Sequence, residues 1–185
     1  MSPAGESGEF RAISETVLHE GYVISLTNGT FEAPDGTRFD RDIVHHPGAV
    51  AVVPLHDDGT VVLVRQYRAP LDRMMLELPA GKRDVADEPP EVTAGRELVE
   101  EVGLRAADLE FLVAFHNSVG FSDEECLVYV GRGLTEAPLD HDGIEEEFME
   151  VVRLPLDAAV AMIGSGEITD AKTVIGLTMV AAADR

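Results

Sequence analysis

The sequence predicts an α+β fold with a mixed sheet, and three observations predict it. Short apolar runs with the two-residue period of β-strands fill most of the first half of the 185-residue chain. The period becomes helical over residues 89–102, and helical patterns return at the end, over residues 156–163 and 171–183. Runs of strands with segregated helices are typical of this class, because the helices then cover a sheet built largely from hairpins.

The residues before the first helix are predicted to form antiparallel hairpins. Turns are expected at Asn28-Gly29 and at Pro34-Asp35-Gly36, since these residues accept tight-turn backbone conformations. The predicted strands of this part are 17–18, 22–26, 30–32, 38–44, 49–55, 61–67 and 75–78.

The helix at residues 89–102 is the most clearly marked element. Pro89 or Pro90 suits its first turn, and Gly103 suits the position just after its last turn. Its apolar side is predicted to carry Val92, Leu98, Val99 and Val102.

Three carboxylates, Glu97, Glu100 and Glu101, are expected on the opposite side of this helix. Exposed like charges three or four residues apart repel, by about 0.2–0.5 kcal/mol per pair. A hard divalent cation such as Mg²⁺ would remove this penalty, because it prefers oxygen ligands. The alternative is a solvated acidic face on a very acidic protein.

The remaining elements are strands at 109–115, 126–131 and 150–155, followed by the two C-terminal helices. No internal repeat or low-complexity segment interrupts them. Cys126 is the only cysteine, so a disulfide framework and a thiolate zinc site are excluded, and a small buried side chain is expected there.

The charge excludes two classes of partner. Fourteen Lys and Arg against 35 Asp and Glu give a formal net charge of −21, which repels nucleic acid and anionic membranes. The longest apolar stretch, residues 49–55, is too short to span a bilayer, and the first residues lack the pattern of a signal peptide. We therefore expect a cytoplasmic protein whose anionic ligands bind through a metal or a local arginine.

One extended motif resembles the Nudix box, Gly-x5-Glu-x7-Arg-Glu-U-x-Glu-Glu-x-Gly-U, where U is aliphatic. It comprises Gly81, Glu88 and the run Arg96-Glu97-Leu98-Val99-Glu100-Glu101-Val102-Gly103-Leu104. One extra residue separates Gly81 from Glu88, which indicates a longer loop before the helix. The resemblance implies the Nudix α/β/α sandwich and metal-dependent hydrolysis of a nucleoside diphosphate linked to another group.

The resemblance also implies roles for the box residues. Glu97 and Glu101 would be the main ligands of Mg²⁺, with Mn²⁺ as an alternative, and Glu100 would lie close to the metal. Arg96 would orient a glutamate, and Glu88 would be a supporting acid. An ordinary structural role for Glu88 stays open, because an acid at a helix N-terminus also stabilises the helix dipole.

The segments around the box resemble the ADP-ribose pyrophosphatase branch of the family. They are Val64-Arg65-Gln66-Tyr67-Arg68 and Leu76-Glu77-Leu78-Pro79-Ala80-Gly81. By this resemblance Arg68 would bind phosphate, Glu77 would line the nucleotide site and the Ala80 carbonyl would be a further metal ligand. A surface role remains open for Glu77.

An upstream segment, Asp40-Arg41-Asp42-Ile43-Val44, resembles the part of the family in which the residue at the Arg41 position contacts adenine. This contact often lies across a homodimer with exchanged N-terminal strands, so a homodimer is expected. The alternative for Arg41 is an ordinary ion pair on a strand.

A loop after the box carries Gly120 as a candidate substrate contact, within Gly120-Phe121-Ser122-Asp123-Glu124. Val119 stands where this branch usually has a proline, so another nucleotide sugar or a dinucleotide stays open as the substrate.

A second acidic cluster, Glu145-Glu146-Glu147, precedes the strand at 150–155. In related enzymes this loop supplies a general base or an extra metal ligand. Glu147 aligns best with that role and Glu145 second; a solvated loop is the alternative.

Together these features predict a Mg²⁺-dependent Nudix pyrophosphohydrolase that cleaves ADP-ribose to AMP and ribose 5-phosphate. Residues 1–47 are expected to form an N-terminal β element for dimerisation and nucleotide contacts, and residues 48–185 the hydrolase domain. The alternatives are another nucleotide substrate within the same chemistry, or a regulator that binds ADP-ribose without cleaving it.

Overall fold

The computed structural model describes residues 9–138 and 148–183. The chain divides into two compact units, a smaller one of Met1–Gly48 with His116–Glu125 and a larger one of Ala49–Phe115 with Cys126–Arg185.

The smaller unit is built on a three-stranded antiparallel sheet in the order β1-β2-β3, formed by β1 (Arg11–Glu20), β2 (Ser25–Glu32) and β3 (Arg38–His45). The Gly21 N–H donates to the Ile24 carbonyl at 2.8 Å and closes the first hairpin. The predicted turn at 34–36 is confirmed, with Gly36 at a φ of 85° in the left-handed region that favours glycine.

The predicted turn at Asn28-Gly29 is wrong, because both residues lie inside β2. Asn28 is held in the sheet by a hydrogen bond from its Nδ2 to Asp42 Oδ1 at 2.9 Å. Gly29 is required by packing, since a Cβ there would lie 2.9 Å from the Phe31 ring and 3.0 Å from the Ile43 side chain. The dipeptide thus serves close packing of the sheet, which a local turn signal cannot distinguish from a hairpin.

The loop at residues 118–124 is fastened to β3. The Val44 N–H donates to the Phe121 carbonyl at 2.7 Å, and the His46 N–H donates to Asp123 Oδ1 at 3.0 Å. His45 lies between two carboxylates, with Nδ1 contacting Asp123 and Nε2 contacting Glu15. Hydrogen bonds to Asp123 and then to Glu15 raise the pKa of His45 above its ordinary value.

This histidine is expected to make the stability of the protein depend on pH. Because its pKa is raised on folding, its contribution is fully present below about pH 6.5 and is lost as the pH rises through the folded-state pKa. The difference in unfolding free energy between the wild type and His45→Gln, measured with urea from about pH 5.5 to about pH 8.5, should therefore shrink as the pH rises. His19→Gln, which changes an exposed histidine of β1, is the control. A difference for His45→Gln that is constant with pH would contradict this assignment.

The larger unit contains two main sheets and three helices. The first sheet has the order β7-β4-β10-β9 and is mixed, because β4 pairs in parallel with β10 and antiparallel with β7. The second has the order β12-β5-β6 and is antiparallel, and β8 and β11 form a small antiparallel pair. The strands are β4 (Ala49–Pro54), β5 (Thr60–Arg68), β6 (Arg73–Glu77), β7 (Ala80–Lys82), β8 (Leu104–Arg105), β9 (Asp108–His116), β10 (Glu125–Arg132), β11 (Thr135–Glu136) and β12 (Glu150–Pro155).

Helices cover both sides of these sheets. Alternate residues of a strand face opposite ways, and β4 and β5 are apolar on both faces, as expected for strands that are covered on both sides. On one side Val50, Val52, Val62 and Val64 pack with α1 (Pro90–Val102). On the other side Ala51, Val53, Val61 and Leu63 pack with α2 (Leu156–Ser165) and α3 (Ala171–Ala183). The predicted α+β class and the α/β/α sandwich are confirmed.

Helix α1 has the predicted ends, but its buried side differs from the prediction. Pro90 is its first residue, and Gly103 ends it at a φ of 64°. Val92 is exposed, whereas Glu101 is 4% exposed and lies in the buried side with Ala94 and Leu98. Glu101 follows Ala94 by seven residues, about two turns, so the two share a side of the helix. The prediction was centred on the valines and missed Ala94.

No helix in the described parts of the chain, 9–138 and 148–183, is long and apolar enough to cross a membrane.

Candidate active site

Two carboxylates of α1 converge on the main chain of β7. The Ala80 N–H donates to Glu101 Oε2 at 2.9 Å. The carboxylate of Glu97 lies directly against Gly81, where a Cβ would stand 1.9 Å from Glu97 Cδ. The structure therefore brings together Ala80, Glu97 and Glu101, the three residues predicted from the box and its flank to hold a metal.

Glycine is required at position 81 by this close approach. Any side chain there would occupy the space of the Glu97 carboxylate, because atoms at 1.9 Å overlap. The strand is short and its backbone is half-buried, so it cannot move away without breaking its pairing with β4 at Val50. The first glycine of the motif thus fixes how near the carboxylate comes to the strand.

Arg96 contacts three glutamates, of which Glu97 and Glu100 lie on the same helix and Glu88 just before it. Its Nη1 lies 3.0 Å from Glu97 Oε1 and 2.7 Å from Glu100 Oε2, and its Nη2 lies 3.6 Å from Glu88 Oε2. Glu88 also accepts a hydrogen bond from the Thr93 hydroxyl at 2.7 Å. Burial lowers the pKa of Arg96, but the charges of Glu97, Glu100 and Glu88 raise it overall, so the guanidinium stays charged. This charge offsets the repulsion that the spacing of the acids predicts.

Arg68 and Glu77 form a bidentate ion pair between β5 and β6. Arg68 Nε donates to Glu77 Oε1 and Nη2 donates to Oε2, both at 2.7 Å. Glu77 is 1% exposed, so the surface role left open by the sequence is excluded, while the Arg68 side chain is 38% exposed. A planar guanidinium matched to a carboxylate in this way holds a fixed orientation.

Lys172 of α3 completes the pairing of Glu77. Its ammonium contacts Glu77 Oε2 and lies 3.1 Å from Asp170 Oδ2. Burial alone would raise the pKa of Glu77, but the hydrogen bonds and charge of Arg68 and the charge of Lys172 lower it to about 2. Lys172 is not among the site residues predicted from the sequence. A lone lysine just before the apolar pattern of a C-terminal helix is the only signal it carries.

Four other predicted site residues belong to the smaller unit or lie outside the described residues. Arg41 belongs to the smaller unit, where its guanidinium stands 4.8 Å over the ring of Phe39 and donates to the Asp40 carbonyl at 2.7 Å. Gly120 belongs to the same unit and is exposed, with open space where a Cβ would stand. Glu145 and Glu147 lie outside the described residues. The roles of all four stay predictions.

The atoms at the junction of β7 and α1 fit a hard divalent cation. The ligand atoms that the structure shows there are the carboxylate oxygens of Glu97 and Glu101, which suit Mg²⁺ or Mn²⁺, and the absence of a side chain on Gly81 leaves the Glu97 carboxylate next to the strand. Among residues 9–138 and 148–183, no group of three His, Cys, Asp or Glu side chains is arranged as a metal site. The predicted ligand set also includes Glu147, which lies outside the described residues.

Comparison with known proteins identifies the family. The model of the NUDIX domain matches residues 45–174. An ADP-ribose pyrophosphatase of Bacillus subtilis is 40% identical over 168 residues, which span 91% of this chain and 90% of the relative. The chain belongs to the Nudix family. A methanol dehydrogenase activator of Bacillus methanolicus is 39% identical over 173 residues, which span 94% of this chain and 93% of that one.

The Nudix fold is also seen in a solved structure described as an ADP compounds hydrolase. It matches with a TM-score of 0.83, covers 97% of this chain and 96% of its own, and is 22% identical in sequence. Membership of the family confirms the resemblance drawn from the box and the predicted class of Nudix pyrophosphohydrolase. Nudix hydrolases generally use divalent metals.

Proposed function

We propose that this Nudix protein hydrolyses the diphosphate bond of ADP-ribose to AMP and ribose 5-phosphate with Mg²⁺, or with Mn²⁺. The observation that carries the proposal is the contact of the Glu97 and Glu101 carboxylates with the backbone at Ala80 and Gly81. The choice of ADP-ribose is supported by the flanking segments with Arg68 and Glu77, and by the Bacillus subtilis relative.

The residues that would hold the cation are Glu97, Glu101 and the Ala80 carbonyl, with Glu147 proposed as a further ligand. When bound, the cation neutralises the diphosphate and stabilises charge on the phosphoryl group under attack. Arg96 keeps Glu97 and Glu100 in place through its Nη1 contacts.

Arg68 is proposed to bind a phosphate oxygen of the substrate. The Nε and Nη2 of Arg68 donate to Glu77. Among the described residues the Nη1 of Arg68 makes no hydrogen bond, so it can donate to an anionic acceptor. Water is the nucleophile, and Glu147, Glu145 or Glu100 is proposed as its base. A positioned base of this kind contributes about 10² to 10⁴ in rate.

The adenine side is proposed to involve Arg41 and Gly120 in a homodimer with exchanged N-terminal strands. The support is β1, which is exposed along its whole length, and Phe10, Val17, Leu18 and Tyr22, which are each more than half exposed. Light scattering tests the dimer as a mass twice that of the 19.9 kDa chain.

We propose the cytoplasm as the location of the protein.

The test is release of AMP from ADP-ribose, ADP-glucose, NADH and diadenosine polyphosphates, each with Mg²⁺, Mn²⁺ or EDTA. We expect the highest kcat/KM with ADP-ribose, no turnover in EDTA, and recovery when Mg²⁺ is restored. A sample purified in parallel from cells that do not express the protein measures any contaminating hydrolase.

Metal-dependent cleavage that is fastest with another substrate would overturn the assignment of ADP-ribose. Binding of ADP-ribose, measured by calorimetry, without cleavage of any substrate would overturn hydrolysis and favour the regulator. That alternative draws support from the Bacillus methanolicus relative, which is named as an activator of another protein.

A further inference from the structure

Lys172 is a partly buried cation outside the Nudix box. Its side chain is 12% exposed, although lysines are almost never buried unless they are paired. It occupies the first turn of α3, and its ammonium contacts the carboxylates of Glu77 and Asp170. A partly buried lysine with two acidic partners contributes its charge, its packing or both, and the contacts of the neighbouring residues indicate which.

The start of α3 has an anchor in addition to the contacts of Lys172. Asp170 Oδ2 accepts hydrogen bonds from the Thr173 N–H at 3.0 Å and from its hydroxyl at 2.6 Å. The Thr173 Oγ1 in turn accepts the Leu78 N–H at 2.8 Å, which ties the helix to the residue after β6. Thr173 is fully buried, so this anchor is shielded from water. These bonds hold the first turn of α3 in place, and with it the Lys172 ammonium.

The charges alternate along this cluster. Asp170, Lys172, Glu77 and Arg68 carry minus, plus, minus and plus, and their formal sum is zero. Without Lys172 the sum would be minus one, and Arg68 alone would face the buried carboxylate. The Arg68 guanidinium is also within the electrostatic influence of Asp170 and Glu101. An anion approaching Arg68 would then meet a field dominated by carboxylates.

We propose that Lys172 is a positioning residue for substrate binding, which holds the Glu77 carboxylate and compensates its charge so that Arg68 remains available to the diphosphate. The proposal rests on the proposed function, in which Arg68 contacts phosphate. Lys172 acts through Glu77 and Arg68, and its removal should weaken binding of the anionic substrate more than it slows the chemical step.

The test compares Lys172→Met, Lys172→Arg and the wild type in steady-state hydrolysis of the best substrate of the panel. For Lys172→Met we expect KM to rise by on the order of tenfold, with kcat within about threefold of the wild type. Lys172→Arg restores the charge and should return KM to within about threefold of the wild type. Arg153→Met is the matched control. It removes a cation that pairs with Asp58 and Thr60 at the other end of β5, and it should leave KM unchanged.

The outcomes separate this inference from the proposed function. A wild type that cleaves no substrate overturns the proposed function. The Lys172 inference is then judged from the Kd of ADP-ribose, which should be weakened by Lys172→Met and restored by Lys172→Arg. An active wild type with an unchanged KM in Lys172→Met overturns only the role of Lys172, as does a loss confined to kcat or an equal rise in KM in Arg153→Met. If Lys172→Met does not fold, Lys172→Gln, which keeps a hydrogen-bond donor without the charge, is judged by the same criteria.

Discussion

Glu97→Gln is expected to lower kcat by at least about 10² to 10³ while leaving the fold intact, since removal of one group that stabilises transition-state charge has effects of this size. The substitution keeps the shape of the side chain but removes the negative charge that the proposed cation requires. The carboxylate lies against Gly81 and 3.0 Å from Arg96, so its position is set from two sides and Gln can occupy the same space. Release of AMP at saturating Mg²⁺ measures the loss, and circular dichroism and urea unfolding check the fold.

The matched control for this substitution is Glu91→Gln, which removes an exposed carboxylate from the first turn of the same helix. It should leave kcat unchanged.

The substitution Gly81→Ala tests the position of the same carboxylate and should also lower kcat, because the added methyl group would displace Glu97 without altering its charge. Gly164→Ala in α2 adds the same methyl group in open space and should have no effect on turnover. Wild-type turnover in either Glu97→Gln or Gly81→Ala would contradict the placement of the cation beside Glu97.

Glu77→Gln is expected to lower the unfolding free energy at neutral pH by about 3 to 5 kcal/mol, the range found when one partner of a buried ion pair is removed. The carboxylate is buried and is shared by Arg68 and Lys172, so an amide would leave Arg68 without its anionic partner and Lys172 with Asp170 alone. Because the pKa of Glu77 is lowered on folding from 4.5 to about 2, its contribution is present above about pH 4.5 and is lost as the pH falls towards 2.

Urea unfolding of the wild type and Glu77→Gln across this range measures both effects. The difference between them should be largest near neutral pH and should decrease steadily below about pH 4.5. Glu110→Gln, an exposed carboxylate of β9, is the control and should change stability by less than about 0.5 kcal/mol. A difference for Glu77→Gln that persists unchanged at pH 2 would show that the ion pair is not its source.

Much of the fold could be predicted from the sequence because its signals are local. Pro90 and Gly103 mark the ends of α1 through backbone conformation, and the structure has the helix at Pro90–Val102. Helix α3 begins and ends at the predicted residues, 171 and 183. Strands β4 and β5 are also predictable from local sequence, because strands buried on both faces appear as continuous apolar runs.

The features that the sequence did not predict depend on contacts between distant segments. The buried place of Glu101 follows from packing through Ala94, and the strand position of Asn28-Gly29 follows from contacts with β3. Lys172 meets Glu77 across 95 residues, and no spacing rule connects them. The proximity of Glu97 to Gly81 is a partial exception, because the motif implied a shared site although it could not give the distance.

The candidate site of the larger unit has a carboxylate side, with Glu97 and Glu101, and an Arg68 side, with Glu77 and Lys172. The two sides differ in the length of chain that must be synthesised before each can form. Ala80 and Glu101 are 21 residues apart, so the carboxylate side can assemble once α1 has left the ribosome. Leu78 and Thr173 are 95 residues apart, and the Arg68 side is incomplete until the first turn of α3 exists. A nascent or truncated chain that stops before Asp170 would possess the carboxylates of α1 but would leave Glu77 paired with Arg68 alone. The full set of charges around Glu77 is thereby deferred until α3 has been made.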